Sequence, residues 1–283
     1  MNFFIIFDRL IKLEMKRLFC LLAIALTLFA VSCGETQLPE DNVTVDPFDG
    51  SADKGSRYFR RSLAMTFVDY DTPSGRKVLD AVTAAQKERP GRIANVVIHP
   101  GYTHYGSYST GLMQFYGVNK VPTLLLDFQD KDVASCTANS LTTYVDSFND
   151  HPQCTGIRIE ALADPLNENY INLDVYFYIT HTGTYDFGVL LLQDGVTIDI
   201  GGDAYYCDSV FYEDFFLTWS ERFFYGGEIM DGHAPINLIG LRDHRQYHLV
   251  AYVFEYMDNG SIRFDNAVEC PLFQTKELRY EKD

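Results

Sequence analysis

Cysteine placement makes the strongest chemical statement in this chain. Six cysteines are present. Cys33 follows Ala30, Val31 and Ser32, at the end of an apolar run from Leu18 to Val31 broken only by Thr27. Met15, Lys16 and Arg17 precede that run. A basic start, a short apolar stretch and a small residue before the cut compose an export signal. The run is short for a bilayer span. A small residue directly before cysteine is what lipoprotein signal peptidase cuts, although the usual leucine is replaced here by Ala30. Acylation of Cys33 is therefore expected, with the mature chain starting there and residues 1–14 lying upstream of the working start. The alternatives are an ordinary signal cut nearby or a membrane anchor.

Cys20 would leave with the signal, so Cys136, Cys154, Cys207 and Cys270 remain in the mature chain. An even number in an exported protein permits disulfides. Pairing within each half would join Cys136 to Cys154 and Cys207 to Cys270. Four buried thiols are the competing expectation. No Cys-x-x-Cys occurs and no His/Cys spacing resembles a zinc site.

A second group of reactive side chains sits on two predicted loops. Asp71, Thr72, Pro73 and Ser74 precede a helix, while His99, Tyr102, His104 and Tyr105 follow a strand. Such loops at the carboxyl ends of strands are where open sheets bind ligands. His99, His104 and Asp71 could hold a metal, but the spacing is generic, and the expectation is no metal and no cofactor. Tyr205-Tyr206, Phe211-Tyr212, Phe215-Phe216, Trp219 and Phe223-Phe224-Tyr225 form an aromatic-dense stretch. It reads as the closure of a core or as a surface for a glycan or protein partner. The net charge of −16 disfavours nucleic acid and anionic lipid head groups.

The elements that must position these groups change character along the chain. From Cys33 to about Ser56 the sequence is polar and reads as a tether. Strand-like Ser62–Tyr70 is followed by Thr72-Pro73, an N-cap with proline at the first helical position, and a helix to about Arg89. Ile93–His99 reads as a buried strand, Ser109–Tyr116 as a helix, Thr123–Phe128 as a strand and Ala138–Phe148 as a helix. This alternation predicts an α/β sheet domain over residues 59–153. Beyond it, Ile171 to Thr180 alternates with period two. Gln193-Asp194-Gly195 and Asp258-Asn259-Gly260 mark hairpins. Residues 154–283 therefore read as an all-β sandwich.

Tyr70-Asp71-Thr72-Pro73 and Lys120-Val121-Pro122-Thr123 resemble the two defining loops of the thioredoxin-like fold, with Pro122 at its cis-proline position. Ile98-His99-Pro100-Gly101, Tyr116-Gly117-Val118, Leu192-Gln193-Asp194-Gly195-Val196 and Tyr206–Phe211 extend the likeness. In that order they resemble the outer-membrane-protein-twenty-eight-related lipoproteins of Bacteroidota, in which a thioredoxin-like domain precedes a β-sandwich. A histidine common near the position of Cys207 is missing here. The resemblance implies an α/β thioredoxin-like domain, then an immunoglobulin-like sandwich. It also implies a degenerate site at Asp71, Thr72, Pro73, Ser74, His99 and Pro122. Thioredoxin chemistry needs a thiolate at the helix N-terminus and a resolving cysteine, and this loop has neither. The expected protein is thus a non-catalytic binding or structural module, held at the outer membrane or cell surface through acylated Cys33. The alternative is a degenerate thiol-disulfide oxidoreductase or chaperone-like periplasmic protein.

Overall fold

A computed structural model describes residues 58, 60–69, 72–100, 106–148, 154–200, 203–215, 221–241 and 243–277. The signal segment, Cys33 and the tether lie outside them, as do Asp71, Tyr102, His104, Tyr105, Phe216 and Trp219. The elements in chain order are β1 (Ser62–Phe67), α1 (Pro73–Glu88), β2 (Ile93–Ile98), α2 (Gly106–Phe115), β3 (Thr123–Leu126), β4 (Gln129–Lys131) and α3 (Ala138–Asp146). There follow β5 (Gly156–Ala163), β6 (Tyr170–Tyr178), β7 (Gly183–Gln193), β8 (Val196–Ile200), β9 (Asp203–Cys207), β10 (Val210–Phe215), β11 (Arg222–Phe224) and β12 (Ile229–Asn237). The last three strands are β13 (Tyr247–Tyr256), β14 (Ile262–Pro271) and β15 (Thr275–Glu277). No helix among the described residues is long and apolar enough to cross a membrane.

The local signals act as their chemistry requires. Thr72 Oγ1 accepts from Gly75 N at 3.1 Å and caps α1, with Pro73 at its first position. Thr137 and Ser140 form a reciprocal box at the start of α3. In β7, Tyr185, Phe187, Val189 and Leu191 face one core while Leu190 and Leu192 face another. A continuous apolar run is what a strand buried on both faces needs.

Pairing between strands overturns the expected architecture. Among the described residues the fold is mostly β, with 49% strand, three α-helices, one mixed sheet and further antiparallel sheets, and it is not an α/β thioredoxin-like domain followed by an immunoglobulin-like sandwich. One sheet runs in the order β14-β13-β7-β10-β2-β1-β3-β4, with β11 also on β7. The link between the two halves is β10, which lies antiparallel to β7 and parallel to β2 through Val210 opposite Val97. Residues 54–283 accordingly form one compact unit. Leu63, Met65 and Phe67 of β1 share a core with Leu190, Tyr252 and Phe254. Asn266 ties the halves again: its Oδ1 accepts from Arg61 N at 2.9 Å and its Nδ2 donates to Thr155 O at 2.8 Å.

The second sheet, β12-β6-β5-β15, packs on β7 and β13 through Phe177, Phe187, Leu191 and Val253. Helices α1 and α3 cover β1, β2 and β3 on the corresponding face. Arg89 Nε and Nη2 grip both oxygens of Asp146 and pin these helices together. Hairpin β8-β9 lies against α1, where Cys207 packs with Val68, Leu79 and Val97.

Candidate functional site

The sequence-marked loops meet at one end of β1, β2 and β3. Phe67 pairs with both Ile98 and Thr123, so the residues after β1, after β2 and before β3 are neighbours. Thr72, His99 and Pro122 therefore share this end, and Val121-Pro122 is cis. Thr72 is occupied by the helix: its hydroxyl donates to Asp69 O at 2.9 Å and accepts from Gly75 N. Gly75 must be glycine here, because a Cβ would lie 2.6 Å from Asp69 O. Pro73 and Ser74 are exposed and His99 is partly buried. Asp71 and His104 fall outside the described residues, and no cluster of three metal-binding side chains occurs among those described.

The four remaining cysteines do not pair as expected. No disulfide joins any two of them, and all four are buried. Cys136 packs among α1 and α3, Cys207 beside Leu79, and Cys270 in the core between the two sheets. Cys154 donates to Tyr58 O at 3.3 Å, and burial pushes its thiol pKa well up. Pairing within each half is not met, because each thiol belongs to a different layer of packing, and four buried thiols are what the fold holds.

Asp194, in the Leu192–Val196 motif, also has a structural task. Its carboxylate accepts from Ser209 N at 2.8 Å and lies 3.1 Å from His248 Nδ1. Burial opposes ionisation there, but the hydrogen bond and charge of His248 and the Ser209 N–H together hold its pKa below the usual carboxylate value.

A cavity lies elsewhere, among residues that carry no motif in the sequence. A cleft of about 1010 Å³ opens between α3, the β3–β4 turn and the β13–β14 hairpin. Two irregularities of the backbone build it. Asp127 and Phe128 form the two-residue β3–β4 turn, with φ of 52° and 63°. Turns of this length favour positive φ and usually use Asn-Gly or Asp-Gly, so phenylalanine sits there against its own preference.

The compensation is visible in the contacts. The Asp127 carboxylate accepts from Leu63 N at 2.8 Å, Ser62 Oγ at 3.1 Å and Arg60 Nη2 at 2.9 Å. Its own N–H donates to Leu63 O at 2.9 Å. The Phe128 ring packs against Tyr116, Tyr252, Phe254 and Phe264 at 5.1 to 6.0 Å between centroids.

The second irregularity is a β-bulge. Val253 pairs with Asn266 and Phe254 with Phe264, which leaves Asp265 as the extra residue. A bulge re-aims its side chain, and Asp265 lines the cleft. Its Oδ2 accepts from Thr155 N at 3.0 Å. Burial raises its pKa, against the lowering effects of the Thr155 hydrogen bonds, Arg60 and Arg263.

Arg60 links the two irregularities. Its guanidinium lies 3.7 Å from the centroid of the Phe148 ring and 5.7 Å from that of Phe264 while it pairs with Asp127. Asp127 is raised by burial more than Arg60 and its other donors lower it. Burial and the Asp127 charge also raise the Tyr144 hydroxyl. Arg263 lines the cleft and pairs with Glu255. Two carboxylates, Asp127 and Asp265, thus line the cleft with the two guanidinium groups of Arg60 and Arg263, among the rings of Phe128, Tyr144, Phe148, Tyr185 and Phe264. The one cue in the sequence was aspartate ending an apolar strand before Gln129-Asp130-Lys131. Without a glycine it reads as a strand end rather than a turn.

No family model and no curated protein matches the chain. Among solved structures, the chain is similar to the X-ray crystal structure of a protein from Agrobacterium tumefaciens determined as a structural-genomics target. The identity is 13% and the TM-score 0.51, over 78% of this chain and 97% of that one. At that identity the likeness concerns the fold alone.

Proposed function

We propose that this chain is a non-catalytic binding module held at the outer membrane or cell surface by acylated Cys33, and that the cleft beside Asp265 takes the ligand. The single observation that carries the binding reading is the cleft itself. A strained turn and a bulge, each held by buried hydrogen bonds, present aromatic rings and a carboxylate to one open space. Irregular backbone of this kind persists only where its surroundings over-determine it.

The chemistry favours a ligand group with positive charge. Arg60 is paired with Asp127 and Arg263 with Glu255, so each guanidinium in the cleft already has a carboxylate of its own other than Asp265. An ammonium group at Asp265 would meet its carboxylate and the faces of neighbouring rings, an arrangement that attracts cations. The overall charge of −16 adds long-range attraction for such ligands.

Calorimetric titration of the mature protein with spermidine tests this. Saturable binding is expected, tightening as pH rises and Asp265 ionises, and weakened at least ~tenfold in Asp265→Asn. Equal affinity in wild type and Asp265→Asn, or no saturable binding, would overturn the assignment of the cleft.

A further inference from the structure

A cavity over one face of a strand touches alternate residues, because successive side chains leave opposite faces. The cleft of about 1010 Å³ instead touches Ser261, Ile262, Arg263, Phe264 and Asp265 in unbroken succession. It therefore runs along an edge of β14. The topology agrees. Among the described residues β14 pairs with β13 alone and ends the larger sheet on that side, while β4 ends it on the other. Gln129, the first residue of β4, lines the same cleft. The two terminal strands of one sheet thus border a single open space.

The register of the hairpin tells which backbone groups point into that space. Met257 N donates to Ser261 O at 2.8 Å across it. Opposed residues of an antiparallel pair alternate between bonded and non-bonded. Glu255 and Arg263 are then a bonded pair, whereas Tyr256 with Ile262 and Phe254 with Phe264 are non-bonded pairs. The N–H and C=O groups of Ile262 and Phe264 consequently point away from β13, toward the outer edge. Such an edge is a template for another strand, and proteins blunt it with charge or shortness. β4 is blunted in this way, being three residues long with Asp130 and Lys131 in it. β14 is not. Ile262 and Phe264 pack on the core with Tyr252 and Phe254, and the one charged side chain between them, Arg263, is drawn back to Glu255 on β13.

We propose that the ligand of the cleft is an extended polypeptide segment carrying a lysine, which adds to the edge of β14 through backbone hydrogen bonds at Ile262 and Phe264 and sets its ammonium group against Asp265. The inference rests on the cationic-ligand reading given above and names the class of ligand. What selects a polypeptide over a small amine is the outward pair of donor and acceptor sets. They stand two residues, about 7 Å, apart, which is the repeat of a strand's own backbone. What selects a basic side chain is the bulge, which ends the regular edge after Phe264 and presents Asp265 to the cleft. The guest is short, because the edge is regular and open only over Ile262–Phe264. Main-chain bonds supply affinity in this mode of recognition and side-chain contacts supply specificity. The net charge of −16 complements a basic segment.

The test uses ligand variants, so that the protein stays unchanged. The probe is acetyl-Thr-Val-Lys-Val-Thr-amide, whose only charge is the lysine, titrated into the mature protein by calorimetry. Saturable binding is expected. The same peptide N-methylated at its three central residues keeps the charge and loses strand pairing, and it should bind at least ~tenfold more weakly. A peptide with norleucine in place of lysine keeps the backbone and loses the charge, and it should weaken to a similar degree. Amide hydrogen exchange at Ile262 and Phe264 should slow about tenfold with the parent peptide, a local effect in an otherwise unchanged protein. On the protein side, Ile262→Pro removes one outward N–H and no bond to β13, and it should weaken the parent peptide, with the fold checked by circular dichroism. No saturable binding of the parent peptide, or equal affinity for the N-methylated one, would overturn strand addition. Asp265-dependent binding of spermidine alongside either result would leave the cationic cleft standing. Equal affinity for the norleucine peptide would overturn the lysine and the cationic reading with it, while the edge of β14 would stand on the N-methylation result.

Discussion

Removing the Asp127 side chain tests how the cleft is held. The carboxylate is 2% exposed and Arg60, its partner, 13%. Asp127→Ala leaves the Arg60 guanidinium without its counter-ion, Leu63 N–H without its acceptor and Ser62 Oγ without its partner. Breaking a buried pair from one side costs about 3–5 kcal/mol. The φ of 52° adds about 1 kcal/mol, because alanine tolerates that region less well than aspartate or asparagine. A loss of about 4–6 kcal/mol is a large part of the stability of an ordinary domain, roughly 5–15 kcal/mol. Asp127→Asn keeps an acceptor for Leu63 and suits the turn. Its cost should be about 1 kcal/mol, the net worth of one hydrogen bond weakened by the exchange of carboxyl for amide.

Urea unfolding followed by far-ultraviolet circular dichroism measures both variants. The pH dependence gives a second reading. Burial raises the Asp127 pKa, so the folded state holds its proton more tightly than the unfolded chain does. Its contribution relative to asparagine is therefore fully present below the unfolded aspartate pKa and is lost as pH rises through the folded value. The wild-type advantage over Asp127→Asn should shrink across that window. Equal destabilisation by alanine and asparagine, or a loss below about 1 kcal/mol for alanine, would refute the idea that this carboxylate braces the turn.

Three further outcomes are expected. A Cβ on Gly188 would lie 2.3 Å from Tyr252 Oη, which is buried and hydrogen-bonded to Tyr116 Oη at 2.8 Å. Gly188→Ala should thus cost about 1–3 kcal/mol by thermal unfolding, and Tyr252→Phe in the same chain should restore part of it. The lowered Asp194 pKa makes a stabilisation that is present above the unfolded aspartate value and lost as pH falls through the folded one. Acid unfolding of Asp194→Asn should lack that step, while an unchanged acid profile would contradict the role given to His248 and Ser209. A peptide map without reduction should recover Cys136 and Cys154 apart, and Cys154 should alkylate only on unfolding because it is buried with a raised pKa.

Local chemistry made the elements legible. Thr72-Pro73 announced α1 and Asp258-Asn259-Gly260 the β13–β14 hairpin, whereas Gln193-Asp194-Gly195 turns the chain from β7 into β8 without closing a hairpin, because β8 pairs with β9. The architecture was not legible, because pairing partners leave no periodicity. Nothing in Val210–Phe215 says that it lies between β7 and β2, and that one position turns two expected bodies into one sheet. The strand read as Thr123–Phe128 ends at Leu126 instead, since Asp127 is satisfied by β1 and Phe128 by rings from α2, β13 and β14. The cleft stayed hidden for the same reason. Arg60, Asp127 and Asp265 are far apart in the chain, and the bulge that aims Asp265 depends on the register of β13. Of the two expectations for the cysteines, pairing within each half is not met, because the thiols lie in different layers, and the four are buried thiols instead.

Anchoring of the binding module through Cys33 is read out by intact-mass analysis of the protein isolated from its native membrane. The expected chain starts at Cys33, without residues 1–32, and is heavier than its sequence by acyl groups that map to the N-terminal peptide. An unmodified N-terminal peptide, or a chain that starts elsewhere, would contradict it.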